Sequence, residues 1–231
     1  MDPEVLTHPA SLRLDADGAQ LFSAAVGEVG LAHLIDALAD QPADQAGVRL
    51  FGVEAVRPLL ASEGRIGEVA ACLLDDEPRP VRAILFDKTL RANWSLGWHQ
   101  DRVIAVKRRV EAEGFGPWTR KHGALHVQPP FEVIKRMVTL RVHLDPTPAT
   151  NAPLLIAPGS HRFGGIAETD VPAVVERCGT AVCLAEAGDV WAYATPILHA
   201  SERSLDAGHR RVLQVDYATT DLPGRLEWLG V

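Results

Sequence analysis

From residue 81 onward the chain is a succession of short apolar runs, each cut off by glycine or proline, and this pattern constrains the fold most. Residues 81–87, 102–106 and 137–144 are rich in β-favouring side chains, and 154–157 stops at Pro158-Gly159. Segments 180–184, 189–193 and 211–218 complete the series. Runs of this length between turn formers read as strands. Residues 137–144 alternate apolar with polar, as a strand buried on one face does. Many short strands joined by Gly/Pro turns build a sandwich or a barrel.

The preceding stretch has a different period. Residues 12–78 read as mainly helical, with 16–39 apolar at three-and-four spacing, a polar break at 41–47, and further helical runs at 53–60 and 66–74. The expected organisation is one domain over 1–231. Its helical part, 1–78, packs outside a barrel core at 79–221, and a long Gly/Pro-containing segment around 107–135 serves as a lid or substrate loop.

Composition narrows the function. At 231 residues and 47% hydrophobic, the chain can bury a full core. A net charge of -7 argues against a nucleic-acid partner and against an anionic membrane surface. No stretch is long and apolar enough to span a bilayer, and Met1-Asp2-Pro3-Glu4 lacks the basic start of a secretory signal. Cys72, Cys178 and Cys183 form no C-x-x-C pair and read as reduced thiols of a cytoplasmic protein. Oligomeric state is not legible.

The chemistry centres on Trp98-His99-Gln100-Asp101. An imidazole and a carboxylate two residues apart can converge on one point, as in a 2-His-1-carboxylate iron site. His199 follows the apolar run 189–193, and Arg210 lies eleven residues further on, opening another strand. A histidine on one strand and a planar cation on the next suit a metal and a dicarboxylate together. His126, His143, His161 and His209 are the other histidines considered for the distal position, but none has that strand-then-arginine context.

Together with Phe86-Asp87-Lys88, Asn93-Trp94, Arg141-Val142-His143-Leu144-Asp145 and Pro158-Gly159-Ser160-His161, these motifs resemble the phytanoyl-CoA dioxygenase family of iron(II)- and 2-oxoglutarate-dependent oxygenases. The resemblance covers roughly residues 80–220. It implies a double-stranded β-helix, a cupin-like jelly-roll barrel, mainly β with flanking helices. It implies Fe(II) on His99, Asp101 and His199, with 2-oxoglutarate and O2 as cosubstrates and hydroxylation of a small organic substrate with release of succinate and CO2. Arg210 would hold the distal carboxylate of 2-oxoglutarate. Arg211 is its competitor, because neighbours on a strand face opposite ways. Lys88, Asn93 and Thr139 match or approach cosubstrate-binding positions, and Trp98 is placed to pack on the ring of His99. Asp101 favours hydroxylation, since family relatives that halogenate lack this carboxylate. Trp118, His126 and Arg141 are substrate candidates. With Arg108, Arg109, Arg120, Lys121 and His122, the 107–135 segment is basic and leaves room for an anionic substrate. The segment before the Pro-Gly-Ser-His turn often carries Asn-Gly in the family; here it is Asn151-Ala152-Pro153, a departure expected to lie remote from the ligands. The competing readings are a ligand-binding domain of the same fold without turnover, and a cupin-like metalloenzyme that does not use 2-oxoglutarate.

Overall fold

The computed structural model describes residues 11–43, 45–121, 123–205 and 208–231. Met1 to Glu4 and His122, invoked above, lie outside them. The elements are, in order, α1 (Leu14–Asp17), β1 (Ala19–Phe22), α2 (Gly27–Ala37), β2 (Val48–Leu50), α3 (Arg57–Leu60), α4 (Gly67–Ala71) and β3 (Arg79–Lys88). There follow β4 (Leu96–His99), β5 (Ile104–Val106), β6 (Trp118–Lys121), β7 (Ala124–Val127), α5 (Phe131–Lys135) and β8 (Val138–His143). The chain ends with β9 (Leu154–Ile156), α6 (Val171–Cys178), β10 (Ala181–Cys183), β11 (Val190–Ala194), β12 (His199–Ser201) and β13 (Arg210–Ala218).

A six-stranded sheet in the order β1-β11-β8-β13-β3-β2 faces a four-stranded sheet in the order β10-β9-β12-β4. All pairings are antiparallel. Period-two alternation divides the large sheet. Leu85, Leu140, Val142, Leu213 and Val215 point outward and pack against Leu34, Leu38, Leu60 and Ile66 of the helical layer. Each fully buried aliphatic side chain there contributes about 1.5–3 kcal/mol. The inward face meets the small sheet through Trp191, Tyr193, Leu154, Ile156 and Cys183 at one end. At the other end it turns polar, and that polar end carries the site.

The helical expectation for the first part of the chain needs correction. The helical stretch 16–39 is interrupted by β1, which pairs with β11 at the sheet edge. Gly18, at φ +80, ends α1, and the backbone N–H of Ala24 donates to Asp189, so tertiary pairing overrides the helical spacing. Likewise β2, in what read as a helical region, joins β3. The two facing sheets are those of the expected double-stranded β-helix, and they do not close into a barrel among the described residues. The 107–135 segment, expected as a lid or substrate loop, is packed structure. Its hairpin pairs with β5 in a third sheet, and Phe115, Val127 and Ile134 are buried with Ile104 and Val106.

Candidate metal centre

Two neighbouring strands of the small sheet bring the histidines together. His199 and His99 are direct partners across the β12–β4 ladder, with ring centroids 4.3 Å apart. The Nδ1 of His99 lies 2.7 Å from the carbonyl of Gly97, and that of His199 lies 3.0 Å from the carbonyl of Ile197. Each carbonyl can only accept, so it selects the Nδ1–H tautomer and leaves the Nε2 lone pair free for a metal. Burial, and then the neighbouring His99, push the pKa of His199 down to about 4, so its imidazole is neutral at physiological pH, as ligation requires.

Asp101 reaches the same point because Gln100 is turned away. The Gln100 amide donates to the carbonyls of Gly164 and Pro196 and accepts from the Ile166 N–H, which pins the bend after β4. Residues on either side of it therefore share a face. One ligand atom each from His99, Asp101 and His199 lies within 4.8 Å of the others. Burial alone would raise the Asp101 pKa. Arg82, 3.4 Å away, the two histidines and Lys121 outweigh it and hold the carboxyl below its ordinary value. A carboxylate and two imidazoles whose Nε2 atoms are left for ligation fit an octahedral iron(II) with open positions.

A cavity of about 480 Å3 opens on this triad. At its inner end Arg210, 1% exposed, stands directly across from Lys88 in the β13–β3 ladder. Arg211 points the other way and makes a two-armed bond to Asp145, so of the two neighbours Arg210 lines the cavity. Burial, and then Arg141, lower the Arg210 pKa to about 9. Its Nη1 donates to the carbonyl of Ala152, while its Nε is buried without a partner. The Asn151-Ala152-Pro153 departure is therefore not remote from the site. Ala152 adopts φ +48, a conformation costing a residue with a Cβ about 1–2 kcal/mol, and its carbonyl braces the arginine. Lys88 Nζ donates to Ser201 Oγ and to the Glu202 carbonyl. Arg141 lines the same cavity and donates to Gln214.

Other expected residues go elsewhere. The hydroxyl of Thr139 bonds to Asp216 and Thr195, away from the cavity lining. Asn93 clasps the backbone of Ser204 through its amide and carbonyl, a loop-holding role. Trp98 faces opposite to His99 and packs with Ala157, Ile166, Val171 and Leu198. Trp118 and His126 do not line the triad cavity; each borders a separate pocket. Of the basic residues around the hairpin, Arg108 pairs with Glu227 and Arg109 with Glu111, while Lys121 lines the cavity. His143 bonds to Thr147, His209 meets Asp87, and the His161 ring packs under Gly18, so none joins the triad.

Sequence reading missed Arg82 and Asp216. Arg82 is 8% exposed and Asp216 2%, joined by a 2.5 Å bond, and Arg82 also reaches Asp101. The signal was present: Arg82, Ile84, Phe86 and Lys88 alternate on β3, as Arg210, Val212, Gln214 and Asp216 do on β13. Arg82→Met leaves Asp216 buried without its cation and should cost about 3–5 kcal/mol, read as a lower urea midpoint. Arg82→Met combined with Asp216→Leu should recover part of that loss. A single variant as stable as the parent would contradict the assignment.

This architecture defines a double-stranded β-helix with a half-buried two-histidine, one-carboxylate cluster at its polar end. The chain belongs to the phytanoyl-CoA dioxygenase (PhyH) family, whose sequence profile matches residues 36–212. It is accordingly a 2-oxoglutarate-dependent non-haem iron dioxygenase, with iron and 2-oxoglutarate as its cofactors. The fold is similar to that of EctD from S. alaskensis, crystallised with 2-oxoglutarate and 5-hydroxyectoine (TM-score 0.67, 21% identity, covering 94% of this chain and 77% of that one). It also resembles the α-ketoglutarate-dependent epimerase SnoN from nogalamycin biosynthesis (TM-score 0.63, 18% identity, 95% and 83% covered). HygX from Streptomyces hygroscopicus, solved with nickel, 2-oxoglutarate and hygromycin B, is a third (TM-score 0.61, 16% identity, 90% and 85% covered). No curated protein matches the sequence.

Proposed function

We propose that the enzyme hydroxylates a C–H bond of a small organic substrate and converts 2-oxoglutarate and O2 to succinate and CO2, with His99, Asp101 and His199 as metal ligands. The observation that carries this reading is the pairing, in one cavity, of three converging ligand atoms with the buried and incompletely partnered Arg210. Iron(II), when bound, supplies the oxidative chemistry. The protein's residues position and insulate. Arg210 holds the distal carboxylate of 2-oxoglutarate through the arms that Ala152 leaves free. Lys88 and Arg141 add positive charge at the same end. Arg82 keeps Asp101 ionised and in place between metal and sheet.

The test is succinate formation from 2-oxoglutarate by protein reconstituted anaerobically with Fe(II), after oxygen is admitted. Slow turnover is expected without the prime substrate and should vanish in His99→Ala and Arg210→Ala. Protein that binds neither Fe(II) nor 2-oxoglutarate would refute the reading.

Lys88 makes a second expectation. Burial, and then Arg210 and Arg141, lower its pKa to about 7 from 10.5. Above pH about 7 the free enzyme therefore carries mostly neutral Lys88, and an arriving dicarboxylate favours its charged form. Binding of 2-oxoglutarate should take up a proton between that pH and the ordinary lysine range, but none well below it. Calorimetry in buffers of different ionisation enthalpy reads this uptake, which Lys88→Met should abolish. Enthalpies independent of buffer in mildly alkaline solution would count against a Lys88 contact.

A further inference from the structure

Seven lysine and arginine side chains line the triad cavity, against one carboxylate, Asp101. They fall into two groups. At the inner end stand Lys88, Arg210 and Arg141, where Arg210 and Arg141 oppose the charge of Lys88 and Arg141 opposes that of Arg210. At the other, Arg82 acts on Arg49 and Asp101, and Lys121 acts on Asp101. Cross-strand pairing places Arg49 opposite Ile84, four residues along β3 from Lys88, which is roughly 13 Å of strand. The dicarboxylate cosubstrate, held at the inner end as proposed above, leaves the outer group without an anion.

Within the outer group the charges are unevenly satisfied. Arg82 is paired with Asp216 and Asp101. Arg102 is spent on the Ile166 carbonyl. Arg49 has no such partner among the described residues. Its Nε is buried without a hydrogen bond, and its strongest influences are burial and the positive Arg82, both of which oppose its charge. Lys121 is exposed at the rim and in no ion pair among the described residues. A buried donor of this kind costs about 1–3 kcal/mol unless something accepts from it. Between the two groups the wall is apolar, formed by Ile84, Phe86, Leu96 and Val103. Behind Arg49 a smaller cavity of about 270 Å3 is lined by Arg49, Arg82 and His126. Burial lowers the His126 pKa to about 4, so His126 adds no positive charge there at neutral pH.

We propose that the prime substrate is a small amphiphilic oxyanion, a carboxylate or phosphate monoester, whose charged group is held by Arg49 with Lys121 at the rim while its apolar body lies toward the metal. This inference rests on the proposed metal and cosubstrate sites. It narrows the expectation that the basic 107–135 segment meets an anion, because Arg108 and Arg109 are paired with Glu227 and Glu111 while Lys121 lines the cavity. A neighbouring groove of about 790 Å3 between α6 and β4 carries Glu168 and Glu176 beside Arg102 and His99, and so has no excess of cations to hold an anion.

The test titrates matched probes into protein loaded anaerobically with Fe(II) and 2-oxoglutarate, and into metal-free protein. The probes are hexanoate, benzoate, hexyl phosphate and phenyl phosphate, with methyl benzoate, hexanol and hexylamine as uncharged and cationic counterparts. At least one anion should bind about tenfold or more tightly than its uncharged counterpart. Arg49→Gln should erase that preference and Arg49→Lys should keep most of it. Comparing carboxylates with phosphates tells which oxyanion the site prefers. Equal or tighter binding of alcohol, ester or amine overturns the proposal, as does an anion preference that survives Arg49→Gln. So does the absence of any anion binding at millimolar concentration. Parallel loss of 2-oxoglutarate affinity in Arg49→Gln would reassign Arg49 to the cosubstrate and overturn it as well. Anion selectivity in metal-free protein is read separately from Fe(II) and 2-oxoglutarate binding, so failure of the dioxygenase reading is distinguishable from failure of this one.

Discussion

Replacing Arg210 with alanine should weaken 2-oxoglutarate binding by about a hundredfold or more and leave metal binding intact. The guanidinium is buried, braced on one arm by Ala152, and holds an unpartnered Nε toward the cavity. Truncating one side of a buried, hydrogen-bonded charge pair costs about 2–5 kcal/mol, and each 1.4 kcal/mol is a factor of ten. The proposed ligands lie elsewhere, His99 and His199 on β4 and β12 and Asp101 just beyond β4, so they keep their geometry. Arg211→Ala is the internal control. It breaks the exchange with Asp145 on the outer face and should leave 2-oxoglutarate affinity near the parent value. Titration of 2-oxoglutarate into Mn(II)-loaded protein without oxygen measures both. Equal losses in the two variants would mean that the arginine acts on stability, not on the ligand.

Replacing His199 with alanine should abolish metal-dependent turnover and weaken metal binding by more than about a hundredfold. Loss of outer-shell partners alone costs roughly 10–100-fold, and a direct ligand exceeds that. His199 is 6% exposed, held at Nδ1 by the Ile197 carbonyl and faced by His99, so no neighbouring side chain can take its place. His143→Ala is the matched control, because that buried histidine bonds to Thr147 and lies outside the cluster. Calorimetric Mn(II) titration reads affinity, and circular dichroism checks that both variants remain folded. Metal affinity unchanged in His199→Ala would move the site elsewhere.

That His99, His199 and Arg210 would come to one cavity was legible because each depends on local pattern. The turn formers around 81–218 mark the strands, and alternation along β13 already allowed only one of Arg210 and Arg211 to face inward. The helices outside the sheet were legible for the same reason. β1 and β2 were not, since a four-residue and a three-residue strand become strands only by pairing with β11 and β3. Thr139 was misjudged although its strand and face were read correctly. A partner across the sheet, Asp216, claims its hydroxyl. Trp118 and His126 were misjudged because the hairpin carrying them folds into a sheet of its own.

What local spacing determined is the identity of the converging ligands. An H-x-D bend, a histidine beyond a buried strand and an arginine opening the next strand prescribe the residue types for a metal and a dicarboxylate. What only the tertiary structure decided is how the remaining charges are shared. Arg82 lies 134 positions from Asp216 yet is bonded to it, Ala152 is 58 positions from the Arg210 that its carbonyl braces, and the buried Nε of Arg49 meets no acceptor among the described residues. A buried charge takes its properties from whichever groups the fold sets beside it. Those neighbours are chosen by strand pairing across the whole chain, and no local stretch of sequence records them.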